Sequence, residues 1–507
     1  MRFSELAAHV SAASLRGERD PEIRSVSYDS RSASTGSIFV AVSGFKTDGH
    51  DYLTQARDSG ASAVALEADR EEKWLPVLAQ SGTPAIIVPN TRAALAQIAA
   101  ALSGFPAHRL RTIGVTGTDG KTSLSHRLHH LLSSTGEKAG LISTAECRVG
   151  DELLPDTGRF TTPEAPEVQQ MLSQMVDAGC RWTVIEATSH GLALHRVDQC
   201  DFDIAVFTNL YPDHLDFHHS LEGYIDAKGR LFAMLNTAAR KGLEKTAVLN
   251  ADDPVSEHFR GLTSAGVLTY GLRSDADVSA RDLTLDGWGT RFRLHAFGQE
   301  REARIALPGD FNVYSALAAC AVAHAAGLDA ADAIAALEAW PGAPGRMQLV
   351  DAGQPFAVVV DFAHAPESLR RVLMLMRERS SGRLIAVFGC IGERDKDRRY
   401  RMGRVAAECA DFTIVTDDNP YSEDREAIIA EIGRGLSAGG RREGHDFALI
   451  PDRRQAIAHA LAMAVDGDAV LLAGKGHERE VHLPDSTYPC HDPTVAREVL
   501  RDLGYAR

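Results

Sequence analysis

The sequence predicts an α/β protein of three domains with mostly parallel sheets. At 507 residues the chain is too long for one hydrophobic core, and it matches about three domains of ordinary size. Short apolar runs alternate with helical stretches, the pattern of parallel strands joined by crossover helices. Two prolines and two glycines cluster at 341–345 after an alanine-rich stretch, which indicates a domain boundary. We therefore expect domains at 1–105, 106–340 and 341–507.

Charge and cysteine content narrow the class of protein. The chain has 54 lysines and arginines against 69 aspartates and glutamates, a net charge of −15, which argues against nucleic acid as the main partner. The seven cysteines are odd in number and scattered, with no Cys-x-x-Cys pair, as in proteins with reduced thiols. No window approaches the length of a membrane span. We expect a cytoplasmic protein, working as a monomer.

The first predicted domain alternates strand-like runs at 37–42 and 61–66 with a helical stretch at 52–59. Two polar segments, 28–31 and 45–50, lie beside the strand-like runs. Loops at such places can hold a small polar ligand, although segments of this composition are more often plain turns.

The second predicted domain opens with a candidate phosphate-binding loop. An apolar run breaks into glycines and then into a helix-compatible stretch, which would aim backbone N–H groups and the positive helix end at one spot. Lys121 adds a mobile charge, and the Thr122 hydroxyl would bind Mg²⁺. The strict spacing places glycine at 115, but this chain has Val115 there, with glycines at 114 and 117. An ordinary strand-to-helix turn is the alternative. The predicted ATP-binding loop comprises Gly117, Thr118, Asp119, Gly120, Lys121, Thr122 and Ser123.

Three further apolar runs, 183–186, 204–208 and 246–250, end in polar residues. Such strand ends carry the ligand-binding loops of an open parallel sheet. Glu186 would complete the Mg²⁺ coordination begun by Thr122, and His214 would hold a second ion or contact substrate. Lys228, judged from its neighbours alone, is a surface lysine on a helix.

The third predicted domain has apolar runs at 356–361, 384–388, 412–416 and 469–473, typical of a Rossmann-like sheet. Polar residues follow each run. Arg394 would bind a carboxylate bidentately and Glu478 an ammonium group, which together suit a zwitterionic amino acid. Helix caps and turns are the alternative interpretation of these polar residues.

Seven motifs together resemble the Mur ligases, and among them the MurE type, the UDP-N-acetylmuramoyl-tripeptide synthetases. The motifs lie at 116–122, 160–165, 185–191, 207–216, 227–228, 361–364 and 418–420. The resemblance implies a three-domain architecture with a central P-loop parallel-sheet domain and a C-terminal Rossmann-like domain. It also implies an ATP-dependent amide ligase that extends UDP-MurNAc-L-Ala-D-Glu in peptidoglycan synthesis, and so serves cell-wall biogenesis, cell shape and cell division. The rival hypotheses are a ligase of the same superfamily with another amino acid or acceptor, and a nucleotide-binding switch without ligase activity.

Further site residues follow from this resemblance alone. The first domain would hold the uridine end through Ser30, Phe45, Lys46 and Thr47. The second domain would hold the sugar-peptide and its phosphates through Thr161, Thr162, Thr188 and Arg196. The family commonly has Asn where this chain has Phe160. ATP would also contact Asn312, Arg346, Asp361 and His364. Family counterparts of Lys228 are carbamylated by CO₂ and assist a second Mg²⁺, so the implied metal set is Thr122, Glu186, His214 and Lys228. The catalytic set is Lys121, Lys228, His214 and Glu186.

The amino-acid pocket departs from the family pattern. The matching positions are Arg394, Asp418, Asn419, Tyr421, Gly474 and Glu478. Members specific for meso-diaminopimelate carry Asp-Asn-Pro-Arg, in which the arginine grips the distal carboxylate, but this chain has Tyr421 at the last position. The other diamino-acid contacts are retained. We expect a diamino acid, with meso-diaminopimelate slightly favoured over L-lysine.

Overall fold

The computed structural model describes residues 1–44, 47–155 and 161–505. Phe45 and Lys46, both predicted to bind the uridine end, and Phe160 lie outside these ranges. The chain divides into two compact units, one of residues 1–283, 292–303 and 313–340, the other of residues 284–291, 304–312 and 341–507. Both have the predicted α/β character, and each is described by itself.

The first unit begins with a small sheet in the order β1-β5-β4-β3-β2, parallel except for the edge strand β1. Apolar side chains cover both of its faces. Its strands are β1 (Ser14–Arg16), β2 (Ser25–Ser27), β3 (Ser37–Val40), β4 (Ala63–Glu67) and β5 (Ala85–Val88), and its helices are α1 (Phe3–Ala7), α2 (Leu53–Asp58), α3 (Glu71–Ser81) and α4 (Thr91–Leu102). The strand-like runs and the helical stretch predicted for this region form β3, β4 and α2.

A larger sheet follows, with eleven strands among the described residues, in the order β16-β15-β14-β13-β12-β11-β6-β10-β7-β8-β9. Pairing is parallel from β14 through to β7, as predicted. Its strands are β6 (Arg111–Thr116), β7 (Ala139–Ile142), β8 (Cys147–Val149), β9 (Glu152–Leu153), β10 (Trp182–Glu186), β11 (Ile204–Phe207), β12 (Thr246–Asn250), β13 (Gly266–Gly271), β14 (Val278–Asp286), β15 (Gly289–Ala296) and β16 (Gln299–Ile305).

The helices of this region are α5 (Lys121–Ser134), α6 (Ala165–Asp177), α7 (Ser189–Ala193), α8 (Leu215–His218), α9 (Leu221–Met234), α10 (Val255–Gly261), α11 (Asp310–Ala325) and α12 (Ala330–Ala339). The buried face of the sheet packs against α6 and α9 in one apolar cluster. The register places Glu186 opposite Val115 and Phe207 opposite Thr116. The ends of β6, β10 and β11 therefore meet at one edge of the sheet, and their loops lie side by side.

The second unit contains a Rossmann-like sheet in the order β17-β18-β22-β19-β20-β21, parallel except for β17. Its strands are β17 (Gln348–Leu349), β18 (Ala357–Asp361), β19 (Leu384–Phe388), β20 (Phe412–Val415), β21 (Phe447–Leu449) and β22 (Ala469–Ala473), with a separate hairpin of β23 (Glu480–His482) and β24 (Thr487–Pro489). Its helices are α13 (Pro366–Arg377), α14 (Asp397–Cys409), α15 (Arg425–Ala438), α16 (Arg453–Met463) and α17 (Asp492–Asp502). The four apolar runs predicted here all form strands.

All seven cysteines are free thiols. Among the described residues, no helix has both the length and the apolar character that crossing a membrane requires.

Candidate active site

The predicted phosphate loop joins β6 to α5. Its Gly117 has a φ of +147° and Gly120 a φ of +82°, conformations that favour glycine. A Cβ on Gly117 would lie 1.9 Å from Thr208 Oγ1, so only glycine permits the loop after β11 to pack this closely. A Cβ on Gly120 would meet none of the described atoms within 4 Å. The turn therefore opens outward at the start of α5, where backbone N–H groups can receive an anion.

The loop after β11 holds the phosphate loop in place. Backbone N–H groups of Thr118 and Asp119 donate to the Asn209 carbonyl oxygen and to Asn209 Oδ1 at 2.8 and 2.9 Å. Thr208 Oγ1 donates to the Asp119 carbonyl at 2.7 Å, and the Tyr211 hydroxyl donates to the Asp119 carboxylate. These bonds fix the backbone of the phosphate loop without a ligand.

Two lysines converge on the same loop. Lys121 Nζ donates to the carbonyl oxygens of Gly117 and Thr118 at 3.1 and 2.8 Å. Lys228 Nζ, from α9, donates to the Gly117 carbonyl at 2.6 Å. Lys228 is 1% exposed, so the interpretation of this residue as a surface lysine is wrong: the helix turns it inward against the loop. Burial, and then the charge of Lys121, lower the pKa of Lys228 well below its ordinary value.

Glu186 forms the acidic part of the site. Its buried carboxylate accepts hydrogen bonds from Thr122 Oγ1 at 3.0 and 3.1 Å, from Ser143 Oγ at 2.7 Å and from the Thr144 N–H at 3.0 Å. Hydroxyl and carboxylate oxygens are the hard donors that Mg²⁺ prefers. No group of three or more His, Cys, Asp or Glu side chains forms a metal cage in the described part of the chain. The set therefore fits a Mg²⁺ ion that takes its remaining ligands from water and phosphate.

Burial, with the charges of Lys121 and Lys228 adding to it, lowers the pKa of His214, so this residue lies near the two lysines. It has a positive φ of 53°, its Nε2 is 3.5 Å from Asp213, and its ring contacts the His190 ring edge-on at 4.9 Å. His218 completes a group of three histidines around His190. Burial, followed by the neighbouring imidazoles, lowers the pKa of His190 to about 4. The metal-binding role of His214 therefore stays a prediction.

Several residues predicted for the UDP substrate contact one another around α7. Thr162 Oγ1 donates to the Glu186 carbonyl at 2.9 Å and lies 3.0 Å from Thr188 Oγ1. Arg196 donates to the Thr162 carbonyl at 3.1 Å and pairs with Glu164 at 2.6 Å. The predicted substrate threonines are thus connected through backbone to the Glu186 cluster.

The predicted residues near the small sheet are more dispersed. Ser30 is buried and its hydroxyl donates to Gln55 at 3.1 Å. Thr47 is exposed. Its carbonyl oxygen accepts a hydrogen bond from the N–H of Gly44, which is also exposed, at 2.9 Å. Thr161 is partly exposed beside Thr162.

In the second unit, the predicted ATP contacts cluster after β18. Asp361 is buried and accepts the N–H groups of Met347 and Ala363 at 2.7 and 2.8 Å. The Arg346 guanidinium lies 4.3 Å above the Phe362 ring, and His364 Nδ1 is 3.0 Å from the Phe362 carbonyl. The predicted contact Asn312 is buried and donates to the Pro308 carbonyl at 2.7 Å.

The predicted amino-acid site is centred on Asn419. Its Nδ2 donates to Glu478 Oε2 at 2.8 Å, and its Oδ1 accepts from Lys475 Nζ at 3.1 Å. Lys475 also donates to Glu478 Oε2 at 2.7 Å and lies 3.8 Å from the Asp418 carboxylate. Burial raises the pKa of Asp418, and the Lys475 ammonium opposes that effect.

Two other members of this set have simpler surroundings. A Cβ on Gly474 would meet the Asp418 carboxylate at 3.2 Å. Arg394 is exposed on the loop after β19. Gly392, on the same loop, packs so closely that a Cβ there would lie 2.0 Å from the Pro420 carbonyl oxygen. The loops after β19 and β20 are therefore held against each other by backbone contact.

Sequence reasoning missed the residues that support these clusters. Ser143 follows β7, and its position at a strand end was the available signal. Asn209 stands at the polar end of the run at 204–208, where the sequence predicts a ligand-binding loop, but its hydrogen bonds to the phosphate loop were not predicted. Lys475 lies inside a segment already marked as polar, but its complete burial could not be read from the sequence.

A P-loop on a parallel sheet, with a buried hydroxyl–carboxylate pair at the same edge, defines a nucleotide-dependent enzyme, here linked to a Rossmann-like unit. Three family models match the chain: "Mur ligase family, catalytic domain" at 22–102, "Mur ligase middle domain" at 115–323, and "Mur ligase, glutamate ligase domain" at 345–476. The chain belongs to the Mur ligase family, whose members are ATP-dependent amide ligases. The predicted fold class and enzyme class are confirmed.

Individual relatives agree over the full length. The chain is 44% identical to a UDP-N-acetylmuramyl-tripeptide synthetase of Roseiflexus sp. (strain RS-1), covering 100% of both chains. It is 41% identical to a UDP-N-acetylmuramoyl-L-alanyl-D-glutamate--2,6-diaminopimelate ligase of Bacillus licheniformis, covering 99% and 100%. A solved structure of a ligase with that second name is 31% identical, with a TM-score of 0.67 and 99% of each chain covered. The resemblance to the MurE type is confirmed.

Proposed function

We propose that this protein adds a diamino acid to UDP-MurNAc-L-Ala-D-Glu, using ATP, as the third residue of the peptidoglycan stem peptide. The observation that carries the proposal is the 44% identity over the whole chain to a tripeptide synthetase. The buried cluster around Glu186 and the Asn419 cluster supply the two kinds of site that such a reaction needs.

The proposed reaction proceeds through an acyl phosphate. The D-Glu side-chain carboxylate attacks the γ-phosphorus of ATP, ADP leaves, and the incoming amine then displaces phosphate from the acyl carbon. Lys121 and the N–H groups of the phosphate loop would neutralise charge on the transferring phosphoryl group. Thr122 and Glu186 would hold Mg²⁺, which supplies further positive charge at the phosphates when bound. The remaining ATP contacts would be Asn312, Arg346, Asp361 and His364.

We propose that Lys228 carries a carbamate in the working enzyme. A neutral amine is the form that attacks CO₂, forming an N–C bond and releasing a proton, and the lowered pKa of Lys228 favours that neutral form. The product is an anion beside the phosphate loop, where it can assist a second Mg²⁺ together with His214. Incubation with ¹³C-bicarbonate should give a protein-bound carbamate signal by NMR that the Lys228→Ala variant lacks. A signal of equal strength in that variant would contradict the proposal.

The amino acid is proposed to bind between Arg394 and the Asn419 cluster. Arg394 is exposed and can receive a carboxylate, while Glu478 can receive an ammonium group. The diaminopimelate ligases among the relatives favour meso-diaminopimelate, whereas Tyr421 replaces the arginine expected for its distal carboxylate. We therefore place meso-diaminopimelate ahead of L-lysine.

We also propose the domain roles and setting. Residues 1–105 would bind the UDP end of the substrate with Ser30 and Thr47. Residues 106–340 would bind ATP, and residues 341–507 would bind the amino acid. A hinge at 342–345 would let the third domain close, and this closure would gate turnover. A cytoplasmic location is proposed, because ATP is a substrate and all seven thiols are free. The protein is also proposed to act as a monomer.

Phosphate release with UDP-MurNAc-L-Ala-D-Glu across a panel of amino acids tests the function. We expect release that depends on one diamino acid, on Mg²⁺ and on the UDP-dipeptide. Lys121→Ala should abolish phosphate release. Lys73→Ala, which removes an exposed lysine on α3, should leave it unchanged. Phosphate release without any amino-acid dependence would instead support the nucleotide-binding switch.

A further inference from the structure

An aromatic pair occupies the edge of the predicted amino-acid site. The Tyr421 ring stacks on the His482 ring, with centroids 5.6 Å apart and an interplanar angle of 13°. Tyr421 stands where diaminopimelate-specific family members carry arginine. The histidine comes from β23, more than fifty positions away in the chain.

Backbone hydrogen bonds tie His482 to the predicted amino-acid site. Its N–H donates to Asn419 Oδ1 at 3.1 Å, and its carbonyl accepts the Tyr421 N–H at 3.0 Å. Asn419 in turn binds Glu478 and Lys475. Tyr421 itself has a φ of 52°, a conformation that costs a non-glycine residue free energy and is concentrated at functional sites. The position of His482 is thus fixed by the same residues that build the Asn419 cluster.

The orientation of the imidazole is also fixed. Nδ1 lies 3.0 Å from Thr487 Oγ1 on β24, so the hairpin holds the ring from one side while Tyr421 covers one face. The opposite nitrogen, Nε2, is 4.0 Å from Glu480, beyond hydrogen-bonding distance. The side chain is 40% exposed. In the tautomer in which Nδ1 accepts from the Thr487 hydroxyl, Nε2 carries the hydrogen and can donate it to a ligand.

The charged groups near His482 decide which part of the amino acid can bind there. Glu478 is acidic and suits an ammonium group, whereas Asn419 Nδ2 and Lys475 Nζ already donate within the Asn419 cluster. A diamino acid with a carboxylate at its far end needs a hydrogen-bond donor for that group, since burying that carboxylate unpaired is costly. L-lysine has no carboxylate at its far end and therefore gains nothing from such a donor.

We propose that His482 is a specificity-determining residue whose Nε2 donates a hydrogen bond to the distal carboxylate of a diamino dicarboxylic acid, with Tyr421 as the platform that aligns the ring. The pair takes the role that arginine has in the family pattern. This inference rests on the proposed function, because it concerns the amino acid that the ligase adds.

The test compares kcat and KM for meso-diaminopimelate and L-lysine in wild type and His482→Leu. Loss of one hydrogen bond to a carboxylate predicts a fall of about tenfold to a hundredfold in the preference for meso-diaminopimelate, mainly through a higher KM. His482→Gln keeps an amide donor near the Nε2 position and should recover much of the preference. Adding Tyr421→Arg to His482→Leu should also restore it. His445→Leu, at an exposed histidine, is the matched control and should change neither substrate.

Three results would overturn the inference: an unchanged preference in His482→Leu, an equal loss for both substrates, or wild type using L-lysine but not meso-diaminopimelate. In each of these the proposed ligase function stands. If no amino acid stimulates phosphate release in wild type, the proposed function fails, and the inference fails with it.

Discussion

Arg127, on α5 behind the phosphate loop, is a buried cation. It is 0% exposed, and none of its three guanidinium nitrogens has a hydrogen-bond partner within the described ranges. Its guanidinium lies 4.1 Å from the Trp340 ring. Burial lowers the pKa of Arg127 from 12.5 to about 9, opposed only weakly by the Cys320 thiol. We predict that Arg127→Met makes the first unit more stable.

The magnitude follows from the two opposing effects on Arg127. Lowering its pKa to about 9 corresponds to a cost of roughly 5 kcal/mol for keeping the charge buried at neutral pH. The stack on Trp340 offsets about 2 kcal/mol. Methionine fills most of the same volume with apolar atoms. We expect Arg127→Met to raise the free energy of unfolding by about 1 to 3 kcal/mol, and the melting temperature by roughly 2 to 6 °C.

Arg453 supplies the matched control, because it is equally buried but paired. It forms a two-point ion pair with Asp492 at 2.7 and 2.5 Å and donates to the carbonyls of Asp417 and Ala473 at 2.9 Å each. Although burial alone would lower the pKa of Arg453, the Asp492 carboxylate outweighs it and raises the pKa. Arg453→Met should destabilise the second unit by about 3 to 5 kcal/mol, since it leaves a buried carboxylate unpaired.

Scanning calorimetry and urea unfolding of both variants measure these changes. Below about pH 9 Arg127 is charged in the folded and unfolded states, so its full cost is present. As pH rises through 9 the folded state releases the proton first and the cost falls, so the advantage of Arg127→Met should shrink at alkaline pH. A loss of more than 1 kcal/mol in Arg127→Met at neutral pH would refute the reasoning and show that Arg127 has a stabilising partner.

Three further predictions concern the phosphate loop. Gly117→Ala should reduce nucleotide binding more than a hundredfold, as measured by calorimetric titration, because its Cβ would clash with Thr208 Oγ1, while circular dichroism stays that of wild type. Thr122→Val should lower kcat for phosphate release by about 10- to 100-fold, and Thr122→Ser, which keeps the hydroxyl, by much less; equal losses would argue against a role of the hydroxyl. Removal of Mg²⁺ with a chelator should abolish phosphate release, and excess Mg²⁺ should restore it; release that persists in the chelator would contradict the proposed coordination by Thr122 and Glu186.

Much of the fold could be predicted because the strands are short, continuous apolar runs. The runs at 246–250, 384–388 and 469–473 match β12, β19 and β22 residue for residue. Such strands are buried on both faces, so their boundaries coincide with the change from apolar to polar residues. The short strands β8, β9 and β17 lack that signal and were not predicted.

The candidate site was only partly accessible to sequence reasoning. Glu186 and Thr122 could be associated because both stand at strand or helix ends on the same edge of a parallel sheet. Lys228 could not, because its helix reads as amphipathic and only tertiary packing shows which face carries Nζ. His482 lacked any motif, and its contact with Tyr421 joins the β23–β24 hairpin to a loop that lies more than fifty positions earlier in the chain. Contacts of that kind depend on the register of distant segments, which local pattern does not specify.

The variant glycine spacing of the phosphate loop has a packing explanation. A Cβ on Gly114 would lie 2.7 Å from Leu231 and 2.8 Å from Phe202, so this glycine admits α9 against the central strand. The side chain of Val115 is completely buried and fills the core instead. Because α9 also carries Lys228, the close approach at Gly114 brings Nζ within 2.6 Å of the Gly117 carbonyl. The glycine at 114 therefore lets α9 bring a second lysine beneath the phosphate loop, and a side chain at 114 would block that approach.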